Sequence, residues 1–203
     1  MNKYMGFYEL MAINLPTVPW KRFTADTQLD DHLLWTVRVA VERSNDLNLP
    51  RAVGVDAEEA ARVGNILLET YGGKGMVIYY PYFIAQKSGV LDINRHRTVI
   101  EAVDKDLWNL VTHGKKNVTA IFPHEQPAAE YYGDVEYHGD AAFLNEAEIN
   151  ELLRCSAVIR GRFREELAEG KAIFAEWSYA FNTDIEHEPI GERYLIFYEL
   201  RGI

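Results

Sequence analysis

The chain has 203 residues, of which 48% are hydrophobic and 12% aromatic, which predicts one large domain or one domain with a small extra lobe. Its net charge of −10 opposes nucleic-acid binding, which needs a basic face, and no run approaches the roughly 20 apolar residues of a membrane span. The single cysteine, Cys155, excludes an intrachain disulfide, and the N-terminus lacks a signal-peptide pattern, so we expect a cytoplasmic protein.

The first half of the chain predicts two helices. Residues 5–14 fit either a strand or a helix. A helix over 28–44 is predicted because apolar residues recur at helical spacing. These residues are Leu33, Leu34, Val37, Ala40 and Val41. The second helix begins after Asp56, with Glu59 at the capping-box position, and ends at Gly72. Its predicted buried face consists of Val63, Ile66 and Leu67.

The middle of the chain predicts an antiparallel meander. The apolar runs 76–83, 90–93 and 98–103 are rich in β-branched and aromatic residues, with expected turns at 86–88 and 94–97. A further short strand is predicted over 118–122. A loop is expected over 45–50. Residues 123–140 are expected to form an irregular loop that contains one strand at most.

The last third predicts one long helix and a pair of strands. Asn145 and Glu148 form a capping box ahead of a helix over 146–169, which Gly170 terminates. Strands are predicted over 172–181 and 193–200. We expect the helix to bury Leu152, Leu153, Ile159 and either Cys155 or Ser156.

Several short motifs favour an ordinary structural interpretation. Residues 71–75 (YGGKG) follow a helix and precede a strand, the reverse of a phosphate-binding loop. No two of the six histidines have the i, i+4 spacing of a helical zinc site, and the acidic residues 184–188 are typical of a solvated loop. Cys155 lies on an apolar helical face, which disfavours a nucleophilic thiolate.

Two carboxylates and an arginine near the C-terminus form the strongest candidate site. Glu199 and Arg201 are two residues apart in a strand, so they project from one face, and in a hairpin Glu176 can lie across from Glu199. Such a set could bind a divalent cation and a phosphate. From the spacing alone, a salt-bridge ladder on an exposed face is the favoured alternative.

Short segments, in order, resemble the ATP-grasp domain of the phosphoenolpyruvate synthase and pyruvate, phosphate dikinase family. Residues 86–91 (QKSGVL) are similar to its Ser-Gly-Val turn. Residues 99–103 (VIEAV) with 110–114 (LVTHG) resemble its "IEA…lV.G" strand and loop. Residues 175–178 (AEWS) resemble its "IEWA" strand, and 194–201 (YLIFYELR) its closing "lYiLQaR" strand.

This resemblance extends from about residue 76 to 203 and implies an ATP-grasp-like α+β fold with mostly antiparallel sheets and packed helices. It implies one domain over 1–203, within which 76–122 could form a small subdomain. The implied metal ligands for magnesium are Glu176 and Glu199. The implied nucleotide-binding residues are Arg22, Glu101, Glu199 and Arg201, with Arg22 in a vaguer match to the family's "VRSSA".

The chain departs from the family at several of these positions. Tyr80 and Phe174 stand near a family glutamine and aspartate, and Glu199 replaces a glutamine. The first 20 residues leave little room for the family's N-terminal lobe with its phosphate-binding lysine, and the sequence shows neither its phosphohistidine nor its phosphoenolpyruvate-barrel domain, so we do not expect a complete synthase.

Two functions remain as expectations. The first is a module that binds ATP with magnesium, as part of an ATP-dependent phosphotransferase if it is an enzyme. A partner chain would supply the missing lobe, or the chain would form a homo-oligomer. The second is a non-catalytic relative that acts in assembly or binds another ligand. Neither expectation identifies a catalytic residue, and both exclude nucleic-acid and membrane partners.

Overall fold

The computed structural model describes residues 1–42, 49–107, 110, 114–124 and 134–203. The protein is α+β, and this described part contains two antiparallel sheets and four helices. The helices are α1 (Lys3–Ala12), α2 (Ala57–Tyr71), α3 (Glu146–Arg162) and α4 (Arg164–Ala168). None of the helices described is long and apolar enough to cross a membrane.

The strands divide between a smaller and a larger sheet. The smaller sheet contains β1 (Lys21–Arg22), β2 (Trp35–Val41), β3 (Arg51–Val55) and β4 (Gly75–Pro81), in the order β1-β4-β2-β3. The larger sheet contains β5 (Phe83–Ile93), β6 (Arg97–Asp104), β7 (Val118–Pro123), β8 (Glu136–Gly139), β9 (Ile173–Thr183) and β10 (Pro189–Gly202). Its order is β10-β9-β5-β6-β7-β8. Because Tyr82 alone separates β4 from β5, the chain crosses between the sheets at that residue.

The two sheets are stacked, and each is covered on its outer face by helices. Helix α2 packs on the smaller sheet, and α3 with part of α1 packs on the larger one. The inner faces meet in an apolar cluster that includes Phe7, Trp20, Ile78, Ala180 and Ile196. The inner faces also line a cavity, which is described below.

Local capping signals predicted two helices correctly. The Asp56 side chain accepts a hydrogen bond from the Glu59 amide at 2.8 Å, and Gly72 caps the end of α2. Asn145 and Glu148 form both bonds of a capping box at the start of α3. The predicted helix over 146–169 is interrupted at Phe163, where α3 gives way to the short α4.

The predicted helix over 28–44 is wrong, because the chain forms strand β2 there. Trp35, Val37 and Val39 face α2, while Arg38 and Ala40 face the larger sheet. A strand covered on both faces carries apolar residues at odd and even positions, and such a run also matches a helical spacing.

Two smaller predictions also fail. Of the predicted buried face of α2, Leu67 is buried and Val63 is half-buried, but Ile66 is 49% exposed, and α2 also buries Ala60 and Gly64. The expected turn at 86–88 lies inside β5, where the pairing with β9 shifts register between Ala85 and Lys87. The sequence signal there therefore marks an irregularity in a continuous strand.

The predicted meander is wrong at its first run, because residues 76–81 belong to β4, which pairs with β1 and β2 in the smaller sheet and not with β5. The other predicted strands are confirmed. Strands β5, β6 and β7 pair antiparallel in sequence order, and β9 and β10 form the predicted hairpin. The predicted subdomain 76–122 contributes β4 to the smaller sheet and β5, β6 and β7 to the larger. The loop predicted over 45–50 and the family-like segment 110–114 lie largely outside the described residues. Of the segment 123–140, residues 125–133 also lie outside them, and residues 136–139 form β8, the one strand that was predicted to be possible there.

Candidate functional site

A cavity of about 950 Å³ lies between the inner faces of the two sheets. Its floor is formed by β5, β9 and β10 of the larger sheet, and its roof by β2, β3 and β4 of the smaller one. Lys3, Arg38, Glu176, Glu199 and Arg201 line it and surround the two facing carboxyl groups of the predicted site. The lining also contains Arg51, Asp104, Lys105 and Asp106.

A β-bulge in β10 brings the predicted site residues to this cavity. Phe197 pairs with Trp177, but the next pair is Glu199 with Glu176, so Tyr198 is an extra residue. Before the bulge, Phe197 faces the α3 side, and after it Leu200 does so. The bulge therefore turns Glu199 and Arg201 to the cavity face, since a shift of one residue exchanges the two faces of a strand.

Glu199 is buried in an ion-paired cluster. It is 3% exposed, and its Oε1 lies 2.9 Å from Lys3 Nζ while its Oε2 accepts a hydrogen bond from Arg38 Nη2 at 3.0 Å. Burial alone would raise the pKa of Glu199, but the charges of Arg38 and Lys3 outweigh burial and hold that pKa below its ordinary value. Glu199 is therefore ionised at neutral pH.

Glu176 lies directly across from Glu199 and is in a different state. Burial, followed by repulsion from Glu199, raises the pKa of Glu176 to about 8. Among the described residues, no side chain or backbone group forms a hydrogen bond or ion pair with its carboxyl group. The pKa of Glu176 is thus raised while the pKa of Glu199 is lowered. Glu176 lines the cavity, and its carboxyl group has no partner among the described residues.

Arg201 is the second group without a polar partner. Its guanidinium lies over the ring of Phe174, 5.7 Å from the centroid, and Phe174 is its cross-strand neighbour. Its Nε is buried and has no hydrogen-bond partner in the described part of the chain. A buried donor without an acceptor is costly, so Arg201 is a candidate to donate a hydrogen bond to an acceptor that enters the cavity.

Three hydroxyl groups continue the floor beyond Glu176. Ser88 Oγ and Ser178 Oγ are 2.8 Å apart, and Ser178 Oγ lies 3.5 Å from the Tyr198 hydroxyl. Burial and then the charge of Glu176 raise the pKa of Tyr198 well above its ordinary value. The hydroxyl of Tyr198 therefore stays protonated and can donate a hydrogen bond.

Two residues implied by the family resemblance do not join this cluster. Arg22 is exposed on the short strand β1, where it pairs with Ile78. Glu101 lies on the same sheet face as Glu176, two strands away, but outside the cavity lining, and its Oε1 is 2.6 Å from Lys116 Nζ.

Lys3 and Arg38 were not predicted from the sequence. Arg38 is the one charged residue in the apolar run 35–41, which would have suggested an inward-facing cation had that run been interpreted as a strand. Lys3 sits at the start of α1, and only the tertiary packing of α1 against β10 brings it to Glu199.

The predicted magnesium ligands Glu176 and Glu199 come together, but their surroundings do not fit a two-carboxylate metal site. Both Glu199 oxygens lie within 3.0 Å of a cationic nitrogen. A magnesium ion at the same carboxylate would be repelled by Lys3 and Arg38. The three cations suit an anionic ligand better.

Cys155 is confirmed as a structural residue. It is buried in the α3 core, and burial raises the pKa of its thiol to about 11. The thiolate needed for nucleophilic attack is therefore scarce at neutral pH.

No family model matches this chain, and no curated protein matches it. The fold and the site define an α+β protein with a charged cavity between two stacked antiparallel sheets.

Proposed function

We propose that the cavity binds a nucleotide through its phosphate groups. The observation that carries this proposal is Arg201, whose buried Nε lacks an acceptor and whose guanidinium lines the cavity. An arginine donates hydrogen bonds in a planar fork that matches the oxygens of a phosphate.

The charge balance around the facing carboxyl groups favours an anion. Among the five residues around the facing carboxyl groups, Lys3, Arg38 and Arg201 are positive, whereas Glu199 alone is an ionised carboxylate at neutral pH, since the pKa of Glu176 is raised to about 8. The other charged residues of the lining are two cations, Arg51 and Lys105, and two acids, Asp104 and Asp106, whose formal charges cancel. The net positive charge lies in a partly enclosed space, where electrostatic attraction is stronger than in bulk water. A cavity of about 950 Å³ is also within the usual size range of small-molecule sites.

The choice of a nucleotide rests on the family resemblance, with which the α+β class and the antiparallel hairpin β9–β10 are compatible. We therefore propose an ATP-grasp-like relative. Phe174 supports Arg201 where the family has an acid, and Glu199 is held by two cations. Both observations favour a nucleotide-binding module over an ATP-dependent phosphotransferase, because they remove oxygen ligands for magnesium. A partner chain or second copy supplying a further lobe belongs to the phosphotransferase alternative.

The test is calorimetry with ATP, ADP and AMP, each with and without magnesium. Replacing Arg201 with alanine should weaken binding about 10- to 150-fold, the equivalent of the roughly 1.5–3 kcal/mol of a charge-assisted hydrogen bond. This variant should fold, because the Arg201 guanidinium has no polar partner in the described structure to leave unpaired.

Arg154→Ala is the matched control, because Arg154 is exposed on α3, far from the cavity lining. Equal binding by the wild type and Arg201→Ala would contradict the proposal, as would the absence of heat with all three nucleotides at millimolar concentration. Binding that requires magnesium would favour the phosphotransferase, and binding that is indifferent to it would favour the module.

A further inference from the structure

Among the five residues around the facing carboxyl groups, Glu176 is the one without a role in the proposed phosphate site. Lys3 and Arg38 both bind Glu199. Arg201 is the proposed phosphate contact. The Glu176 carboxyl group lines the cavity, yet none of the described residues forms a hydrogen bond or ion pair with it. A carboxyl group in such a place is costly unless a ligand completes its hydrogen bonding.

Glu176 and Arg201 lie within reach of one ligand group. Arg201 pairs with Phe174 across the β9–β10 hairpin, and Glu176 follows Phe174 by two residues. Glu176 and Arg201 therefore project from the same face of the sheet as diagonal neighbours. Diagonal neighbours in an antiparallel pair are about 7–8 Å apart, a distance that long side chains can bridge. Because a terminal phosphate has three acceptor oxygens, one phosphate can accept a hydrogen bond from each of the two side chains.

The surroundings of Glu176 favour its protonated form, which is the form that can donate a hydrogen bond. The carboxylate of Glu199 lies directly across the strand pair, and like charges so placed repel each other. Burial, followed by this repulsion, raises the pKa of Glu176 to about 8, although the nearby cations act in the opposite direction. Its neighbour on β5, Val90, is apolar. The titratable groups around it are Glu199, Arg201 and Tyr198 from β10, Lys3 from α1, Arg38 from β2, Tyr80 from β4 and Asp106 from the segment after β6.

A protonated Glu176 has a different role from the magnesium ligation that the family resemblance implies. A carboxyl group must lose its proton before it can bind a metal ion. The other implied ligand, Glu199, already has a cationic nitrogen close to each of its oxygens. The proton of Glu176 and the cations of the cluster can instead neutralise a phosphate group that carries no magnesium.

We propose that the Glu176 carboxyl group donates a hydrogen bond to the same phosphate that Arg201 binds, so that the site takes a metal-free phosphate group together with a proton. This inference rests on the proposed function. It adds a second phosphate contact, a required protonation state and a preference against the magnesium complex. An ionised Glu176 would repel the phosphate, so the ligand should bind more weakly once this proton is lost.

The first experiment measures the affinity for ATP by calorimetry at pH 7 without magnesium. Glu176→Gln keeps a hydrogen-bond donor of similar shape and should retain the wild-type affinity. Glu176→Met removes the donor and should bind ATP about 10- to 150-fold more weakly, the factor expected for a hydrogen bond to a charged group. Both variants should fold, because Glu176 has no partner among the described residues to leave unpaired. Glu192→Met is the matched control, because Glu192 is also on β10–β9 hairpin strand β10 but is exposed and outside the cavity lining.

The second experiment repeats the calorimetry between pH 7 and about pH 9.5. The ligand keeps a constant charge in this range, because a phosphate with a pKa of about 6 is already ionised at pH 7. The wild-type affinity should fall above pH 8 by up to about tenfold per pH unit, the slope for one proton. Near pH 9, binding should take up a proton, so the measured heat should depend on the ionisation enthalpy of the buffer. Glu176→Gln should show neither effect, and the difference between the two profiles reports this one group.

The outcomes separate this inference from the proposed function. If ATP binds to none of these proteins at any pH, with or without magnesium, the proposed function fails and the inference fails with it. If the wild type binds ATP only with magnesium, or equally well at pH 7 and pH 9.5, the phosphate site remains and the inference is overturned. The same conclusion follows if Glu176→Met binds ATP as the wild type does, or if Glu176→Gln loses as much affinity as Glu176→Met. The wild-type measurements need no variant, so they decide the question even where a substitution impairs folding.

Discussion

Replacing Arg38 with methionine should destabilise the protein strongly. In the wild type, Arg38 Nη2 lies 3.0 Å from Glu199 Oε2. The substitution removes this guanidinium group but keeps an apolar side chain of similar length. Glu199 is 3% exposed and Arg38 is 12% exposed, so the remaining carboxylate would keep Lys3 alone as its partner. Breaking a buried ion pair from one side costs about 3–5 kcal/mol of the free energy of unfolding. A domain of typical stability, about 5–15 kcal/mol, would lose a large part of it.

A second substitution tests whether the loss comes from the unpaired charge. Glu199→Gln removes the carboxylate charge and keeps a similar shape, so the double variant should recover most of the stability that Arg38→Met loses. Comparing the double variant with both single variants isolates the coupling between the two residues. Urea unfolding followed by tryptophan fluorescence gives each free energy, since Trp177 is fully buried.

Arg154→Met provides the control for loss of an arginine. Arg154 is exposed on α3, so its replacement should change the free energy of unfolding by less than about 0.5 kcal/mol. The reasoning would be refuted if Arg38→Met cost less than about 1 kcal/mol. It would also be refuted if the two single losses simply added in the double variant.

Three further predictions concern Glu176, the α3 core and the thiol. Because the pKa of Glu176 is raised from 4.5 to about 8, the folded state retains a proton that the unfolded chain releases, so stability should fall as pH rises from 4.5 to 8. In Glu176→Gln, urea unfolding at each pH should show this fall diminished. Leu153→Ala should lower the free energy of unfolding, measured in urea, by about 2–5 kcal/mol, because Leu153 is buried. Val158→Ala is the control and should lower it by less than about 0.5 kcal/mol, because Val158 is exposed. Cys155 should react with a thiol reagent in denaturant but only slowly in the folded protein; fast reaction when folded would contradict its burial.

Elements with local signals could be predicted from the sequence. The caps at Asp56 and Asn145 act within one helical turn, so both helix starts were correct. The hairpin of β9 and β10 joins neighbouring segments, and it brought Glu176 opposite Glu199 as expected. These predictions needed no knowledge of which surfaces meet in space.

Elements decided by tertiary packing could not be predicted in the same way. Strand β2 is covered by α2 on one face and the larger sheet on the other, and its apolar run therefore matched a helix. Because this run was interpreted as a helix, Arg38 was not identified as a residue that faces the larger sheet.

The bulge at Tyr198 is weakly visible in the sequence. The residues that face α3 occupy odd positions up to Phe197 and then the even position Leu200.

The stabilising and the ligand-binding roles of the cluster rest on different residues. Lys3 and Arg38 neutralise Glu199, and the loss of stability predicted for Arg38→Met would be the same whether or not a ligand ever enters the cavity. Arg201 has no ion pair of this kind among the described residues, where its buried Nε lacks a hydrogen-bond partner and its guanidinium lies over Phe174. An arginine kept only for stability would have an acidic partner or solvent for its buried Nε. The case for an anionic ligand therefore depends on Arg201, and its substitution is the experiment that separates binding from folding.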